Sequence, residues 1–187
     1  MKFLTKQKSI LLIIVIIVLI GFAFGIIYLW KISQRHSGRG SIDFSCVNIE
    51  KHRIKGVSLS PLLEHGQEVE ALMGYYDCNP LKRGEIIILK FKTRKEIFVK
   101  KLVAFPGDKL EFQENNALLN GKILKNSENK PYVFSKRSKK ILSIPLNDGF
   151  IPEGRFLVLS ETTSPSAFDS RRFGFVEKNH IIGKVRY

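Results

Sequence analysis

The segment GEIIILKFKTRKEIFVKKLVAFPGD, residues 84–108, decides the fold. Its two apolar runs, residues 84–91 and 97–105, are rich in β-branched and aromatic residues, which favour strands. The short polar sequence TRKE separates the runs, and Pro-Gly-Asp follows the second run as a turn signal. Two apolar runs joined by a short polar turn predict a β-hairpin.

Further strand-like runs lie between polar turns in the C-terminal half. Residues 109–124 predict strands around an Asn-rich turn and a second turn at Asn120-Gly121, and residues 155–160 and 180–187 predict two more strands. No strong amphipathic helix and no internal repeat is visible after residue 31. Seven or more short strands broken by Gly, Pro and Asn indicate a mainly β, antiparallel domain.

An uncharged apolar run occupies residues 9–30 near the N terminus. As a helix it would be about 33 Å long, enough to cross a hydrocarbon core of about 30 Å. The sequence YLWKISQRH around its end is a poor cleavage site, which favours a retained anchor over a removed signal peptide. We therefore expect an N-terminal segment at 1–8, one transmembrane anchor at 9–30, a tether at 31–41 and a β-rich domain at 42–187.

The chain is strongly basic, with 31 Lys and Arg, 17 Asp and Glu and a formal net charge of +14. Only three of the basic residues precede the apolar run, so 28 basic and 17 acidic residues follow it. Such a charge favours an anionic partner, and the lipid headgroup layer is the nearest one. No zinc-finger spacing or RNA-binding aromatic motif is present, so we expect no nucleic acid. The densest basic cluster, SKRSKK at residues 135–140, is interpreted as a solvated turn.

The sequence contains no recognisable motif for binding a metal or a cofactor. The four histidines are far apart, and HExxH, Walker and dinucleotide-binding patterns are absent, so we expect no metal and no cofactor. The two cysteines, Cys46 and Cys78, lack further metal ligands at a recognisable spacing. A disulfide between them is permitted outside the cytoplasm, and the sequence leaves open whether it forms.

A serine with a lysine is the remaining candidate for chemistry. The stretch GVSLSP, residues 56–61, offers Ser58 and Ser60 as nucleophiles, and a nucleophilic serine needs a base beside it. A neutral lysine can be that base if burial lowers its pKa. Lys100 and Lys101 both have apolar neighbours along the strand, so alternation alone does not choose between them. An edge strand protected by lysines would show the same pattern.

Four segments, in this order, resemble the type I signal peptidases, membrane-anchored serine proteases with a Ser/Lys dyad. GVSLSP is similar to the box of the nucleophilic serine, KRGEIIIL to an Arg-Gly-Asp strand segment, FVKKLVAFPGDKLEF to the lysine box and FDSRRFGFV to the last box. The resemblance covers roughly residues 53–184. It implies Ser58 as the nucleophile and Lys100 as the base. It also carries over three supporting residues of the last box: Asp169, Ser170 and Arg171.

The resemblance implies a fold, a function and a location. The fold is a catalytic domain of coiled antiparallel sheets with a variable β insertion at about residues 111–150. The function is removal of N-terminal signal peptides from exported preproteins, with the N terminus in the cytoplasm and the catalytic domain beyond the cell membrane. The implied partners are these preproteins and an anionic bilayer. Three leucines beside Ser58 are expected to rest on the bilayer: Leu59, Leu62 and Leu63.

Two departures from the family pattern concern the support of the dyad. Many members carry a lysine-orienting serine two residues before the aspartate; Ala167 stands there, and Ser166 is the candidate substitute. The oxyanion is expected to bind the Ser58 N–H. Gly56 stands where many relatives add a serine hydroxyl as a second donor, so a second donor must be a backbone group.

Other functions stay open on the sequence. A catalytically impaired relative would bind signal peptides without cutting them, and the altered last box, SETTSPSAFDSR, motivates this alternative. A basic membrane-tethered binding module is a second alternative, motivated by the charge. The last box is also similar to that of the conjugative-transfer peptidases. The substrate class, the particular preproteins and the oligomeric state therefore stay open.

Overall fold

The computed structural model describes residues 42–187, together with Gly21 and Gly25. The anchor predicted at 9–30, with the N-terminal segment and the tether on its two sides, lies outside the described residues apart from these two glycines. In the part of the chain that is described, no helix is long and apolar enough to cross a membrane.

The described domain contains ten strands and three short α-helices within residues 42–187. The strands are β1 Asn48–Arg53, β2 Glu68–Met73, β3 Ile86–Lys90, β4 Ile97–Ala104, β5 Leu110–Gln113, β6 Asn116–Leu119, β7 Lys122–Ile123, β8 Arg155–Leu159, β9 Val176–Glu177 and β10 Ile181–Arg186. The helices are α1 Tyr75–Cys78, α2 Lys136–Ser143 and α3 Ser170–Phe173, and a 3₁₀ turn spans Lys178–His180. A mainly β domain is therefore confirmed.

Seven strands form one antiparallel sheet in the order β1-β2-β10-β3-β4-β8-β9. The predicted hairpin is its centre: β3 pairs with β4, and Ile87 lies opposite Lys100. The last strand of the described domain, β10, inserts between β2 and β3, while β1 lies at the edge of the sheet beyond β2. This arrangement confirms the antiparallel prediction.

Strand β3 is buried on both faces, because residues 86–89 are each at most 2% exposed. Ile87 and Leu89 belong to a core cluster with Leu102 of β4 and Val158 of β8. Ile86 and Ile88 belong to a second cluster that includes Leu59 and Leu63, from the segment between β1 and β2. A continuous apolar run is the expected sequence of a strand covered on two sides.

A second, three-stranded sheet has the order β5-β6-β7. Asn120 and Gly121 join β6 to β7 with φ angles of 50° and 77°. Two successive positive φ angles are the geometry that Asn-Gly favours in a two-residue hairpin. The predicted turn at this position is therefore confirmed.

The basic cluster SKRSKK is not the solvated turn that the sequence predicted, because helix α2 begins within it. The Ser135 hydroxyl accepts a hydrogen bond from the Ser138 N–H at 3.1 Å and caps the helix. Leu142 is fully buried on its inner side. Eight residues with one large buried side chain give too short an apolar stripe for sequence periodicity to reveal the helix.

A disulfide joins Cys46, just before β1, to Cys78 at the end of α1, with 6.1 Å between the two Cα atoms. The sequence left this pairing open, and the structure contains it. The bridge closes a loop over a sequence separation of 32 residues, which includes the segment carrying Ser58. It therefore restrains the unfolded chain as well as the folded loop.

We predict that the double variant Cys46→Ser/Cys78→Ser unfolds with a free energy about 3–4 kcal/mol lower than the parent, the loss expected for a loop of this length. Chemical denaturation followed by far-ultraviolet circular dichroism measures this loss. Reductant should lower the parent to the same value and leave the variant unchanged. Equal denaturation midpoints for oxidised and reduced parent would contradict the prediction.

Candidate active site

Ser58 lies half-buried in the connection between β1 and β2. Gly56 has a φ of +90°, a backbone conformation that glycine adopts without strain, and it turns the chain into the serine. On the far side, Leu59 and Leu63 are buried and fix the segment to the core. The Ser58 carbonyl also accepts a hydrogen bond from the Glu161 N–H at 2.8 Å. The serine is therefore held from both sides.

The leucines beside Ser58 were expected to rest on a bilayer, and for two of them this is wrong. Leu59 is 3% exposed and Leu63 is fully buried, because both complete the core cluster under the sheet. Leu62 is partly buried against the same cluster. The exposed apolar neighbour is instead Val57, which is 68% exposed.

Lys100 extends from β4 towards this serine. Its Nζ donates a hydrogen bond to the Ser58 Oγ at 3.3 Å, and the residue is only 5% exposed. Burial lowers the pKa of Lys100; the negative charge of Asp169 opposes this shift, and the positive charge of Arg171 adds to it. An amine with a lowered pKa beside a hydroxyl can remove the proton of that hydroxyl.

Lys101 has a different partner. Its Nζ lies 2.9 Å from the Glu161 Oε1, and the side chain of Glu161 is fully buried. Burial raises the pKa of this carboxyl, but hydrogen bonds from the Ser127 N–H and from Lys101 outweigh it and hold the pKa below the ordinary value. The sequence pattern did not distinguish the two lysines. In the structure Lys100 contacts a serine and Lys101 contacts a carboxylate.

A buried ion pair supports the site from behind. The Asp169 carboxylate accepts hydrogen bonds from the Arg171 N–H and Nε at 3.0 Å and from its NH2 at 2.6 Å, and both side chains are fully buried. Asp169 also accepts from the Ser160 N–H at 2.8 Å. The Ser170 Oγ accepts from the Val158 N–H at 3.0 Å. The predicted supporting residues therefore connect helix α3 to the end of β8.

Ser166 does not lie where the sequence suggested, and the Gly56 N–H is not free to bind an oxyanion. Ser166 is exposed, and its hydroxyl shares a 2.9 Å hydrogen bond with the hydroxyl of Ser164. The Gly56 N–H donates to the His65 Nδ1 at 3.0 Å, so it is already engaged. By contrast, the Ser58 N–H donates to no group within residues 42–187. The Ser58 N–H is therefore available to bind a substrate oxygen.

A cleft of about 490 Å³ opens beside Ser58 and Lys100. Strand β1 and the segment before Ser58 form one wall, and the start of β4 forms the other. Apolar side chains line much of it, including Val69, Ala71, Ile88, Ile97 and Val99. Within residues 42–187 no group of three or more His, Cys, Asp or Glu side chains could hold a metal ion. The chemistry available here is that of the serine and the lysine.

Two neighbours of the site were missed in the sequence. Glu161 binds Lys101 through its side chain and Ser58 through its N–H, and Ser160 precedes it with no exposed surface. Both belong to SETT, which directly follows the strand RFLVL. Polar residues immediately after a buried strand are the signal that could have identified them.

Comparisons with known proteins identify the family of this chain. The family model described as signal peptidase, peptidase S26, matches residues 41–187, and its class is that of the serine endopeptidases. The match covers most of the chain. Within that class, the chain belongs to the signal peptidase family, type I, and it is a hydrolase.

Individual relatives are similar over about three quarters of the chain. Signal peptidase I of Bacillus caldolyticus is 31% identical over 144 residues, which are 72% of this chain and 75% of the relative. Signal peptidase IB of Staphylococcus aureus (strain COL) is 27% identical over 148 residues, 74% of this chain and 76% of the relative. A solved signal peptidase I of Enterococcus faecalis V583 is 24% identical with a TM-score of 0.44, covering 58% of this chain and 98% of that one.

We predict that Asp169→Asn lowers the free energy of unfolding by about 3–5 kcal/mol, because it leaves the Arg171 guanidinium buried without its counter-charge. Chemical denaturation measures the loss. Arg53→Ala is the matched control: it breaks an ion pair with Glu68 whose side chains are 68% and 70% exposed, and it should cost less than about 1 kcal/mol. Similar losses in both variants would contradict a structural role for the buried pair.

Proposed function

We propose that this protein is a membrane-anchored serine endopeptidase that removes N-terminal signal peptides from exported preproteins, with Ser58 as nucleophile and Lys100 as general base. The contact of 3.3 Å between the Lys100 Nζ and the Ser58 Oγ carries the proposal. Membership of the signal peptidase family supports the reaction class. An impaired relative that only binds signal peptides is disfavoured, since the serine and the buried lysine remain in contact.

The state of the lysine before reaction follows from its burial. An ammonium group at 5% exposure has lost most of its hydration, which favours the neutral amine. A neutral amine carries a lone pair that can accept the proton of the Ser58 hydroxyl. The Arg171 charge favours the same neutral form, while Asp169 opposes it and is itself neutralised by Arg171.

The reaction then proceeds in two halves. The Ser58 Oγ attacks the carbonyl carbon of the scissile peptide bond while the Lys100 Nζ takes the hydroxyl proton, giving a tetrahedral oxyanion. The resulting ammonium of Lys100 passes its proton to the departing amine, and an ester of Ser58 remains. Water, deprotonated by the same amine, attacks this ester; the Lys100 ammonium then returns the proton to the Ser58 Oγ as the ester C–O bond breaks, and the signal peptide leaves with a new carboxyl group.

The oxyanion is stabilised by the Ser58 N–H, which has no partner within the described domain. A second donor must come from another backbone group of the segment, because the Gly56 N–H is bound by His65. The Glu161 N–H keeps this backbone in place by holding the Ser58 carbonyl at 2.8 Å. The nucleophile and the oxyanion donor belong to one residue, and this hydrogen bond fixes its backbone.

The substrate binds in the cleft as an extended segment. Strand β1 is the edge of the large sheet and is exposed along its whole length, so it can pair with an extended peptide. The small side chain of Ala71 and its apolar neighbours leave room for small apolar side chains of a signal peptide. Exported preproteins are the proposed partners.

The proposed location is the cell membrane, with one span at residues 9–30, the N terminus in the cytoplasm and the catalytic domain on the far side. The length and lack of charge of that segment support the anchor. Two exposed apolar side chains near the cleft, Val57 at 68% and Ile97 at 46%, support contact of this face with the bilayer. The disulfide supports an extracytoplasmic domain.

We predict that Ser58→Ala and Lys100→Ala each lower kcat for preprotein cleavage at least a thousandfold, because each removes an atom of the proton transfer. The assay uses the full chain in detergent, and sequencing of the product N terminus identifies the cleaved bond. Two matched controls keep their activity: Ser60→Ala, whose hydroxyl binds Glu64, and Lys92→Ala, in the exposed turn after β3. Cleavage at parental rate by either site variant would overturn the proposal.

We also predict that kcat/KM rises with pH until Lys100 is deprotonated and then levels off. The protonated lysine cannot accept the serine proton, so activity is lost as pH falls through its pKa. Since burial lowers this pKa, the rise should be complete below the ordinary lysine value of about 10.4. Initial rates in buffers from pH 5 to 10 measure it. A flat profile would contradict a lysine base.

A further inference from the structure

Ser160 carries a hydroxyl that the mechanism above does not use. The residue has no exposed surface, and its Oγ has no hydrogen-bond partner among the described residues. Its N–H is bound by Asp169 at 2.8 Å, so its backbone is fixed. Burying a hydroxyl without a partner costs free energy, so its presence at this position requires an explanation.

The strand register places this hydroxyl beside Lys100. In the pairing of β4 with β8, Lys101 lies opposite Leu159 and Leu102 lies opposite Val158. Ser160 directly follows the last residue of β8, and extending this antiparallel register by one step places it opposite Lys100. Opposed residues of antiparallel strands point to the same face, with Cβ atoms about 4.5–5.5 Å apart. The next residue, Glu161, donates its N–H to the Ser58 carbonyl at 2.8 Å, so this part of the chain also lies next to the nucleophile segment.

Lys100 has unused hydrogen-bonding capacity at the same place. Its Nζ has one hydrogen-bond partner within residues 42–187, the Ser58 Oγ. A neutral amine has two N–H donors besides its lone pair, and the ammonium formed during the reaction has three. A buried donor short of partners and a buried acceptor short of partners therefore belong to residues that the strand register brings next to each other.

We propose that Ser160 is the positioning residue of Lys100: its Oγ, which has no partner in the resting structure, accepts an N–H of the amine during the reaction, directs the lone pair towards the Ser58 hydroxyl and binds the ammonium after proton transfer. This inference rests on the proposed function and deepens it. It replaces the sequence-based candidate Ser166, whose hydroxyl is exposed and bound to Ser164.

The test compares Ser160→Ala and Ser160→Gly with the parent, using the full chain and preprotein cleavage from pH 5 to 10. Both variants should lower the plateau of kcat/KM about 10- to 100-fold, the value of a hydrogen bond to a charged group. They should also move the rising limb of the profile to lower pH, because the ammonium loses an acceptor. The other charged groups that act on Lys100, Asp169 and Arg171, are unchanged in both variants.

Stability separates positioning from a packing role. Removing an unpaired buried hydroxyl should leave the free energy of unfolding equal or higher, so a loss of activity with a shifted limb cannot come from misfolding. Ser143→Ala, at the exposed end of helix α2, is the matched serine control with an unchanged profile. Testing two substitutions at position 160 covers the case in which one of them fails to fold.

The outcomes distinguish this inference from the proposed function. If Ser160→Ala and Ser160→Gly fold and cleave with the parental profile while Lys100→Ala is inactive, the positioning role is wrong and the dyad stands. If Ser166→Ala, and not Ser160→Ala, shifts the limb, the role belongs to Ser166. If Lys100→Ala itself cleaves at the parental rate, the proposed function fails first.

Discussion

The removal of one lysine amine from water is the constraint on which the rest of the structure depends. A charged amine is costly in an apolar interior, so a buried lysine shifts towards its neutral form. Lys100 lies on β4, an inner strand between β3 and β8, and the residue is only 5% exposed. The segment between β1 and β2 then brings the Ser58 hydroxyl to it. The same arrangement of strands therefore forms the core and brings the serine hydroxyl to the lysine amine.

The charges around the amine are paired with one another, which keeps the amine itself without a counter-ion. Lys101 binds Glu161, and Arg171 binds Asp169. A carboxylate in direct contact with Lys100 would stabilise its ammonium and prevent it from acting as a base. Both ion pairs also fix the end of β8 against the serine segment. Their role is to hold the site in place, and they take no part in proton transfer.

The sequence predicted the parts of this molecule that follow from local pattern. Apolar runs with turn signals identified the central hairpin and the Asn-Gly turn. The order of motifs pointed to Ser58 and Lys100, whose side chains lie 3.3 Å apart in the structure. Strand β1 was missed because all six of its residues are exposed and show no alternation. Ser160 was missed because its relation to Lys100 is set by pairing between strands 60 residues apart. Contacts that depend on register cannot be read from neighbours in the chain.

The buried amine also has a consequence for folding. In the unfolded chain Lys100 is protonated at neutral pH, so folding must release that proton or bury the charge, and this penalty fades only as the pH approaches the ordinary lysine pKa. An apolar side chain of similar length, as in Lys100→Met, avoids the penalty altogether. The Lys100→Met variant should have a higher melting temperature than its parent. Because it lacks the base, it should also hold an uncut preprotein in the cleft, so it could be used to capture natural substrates.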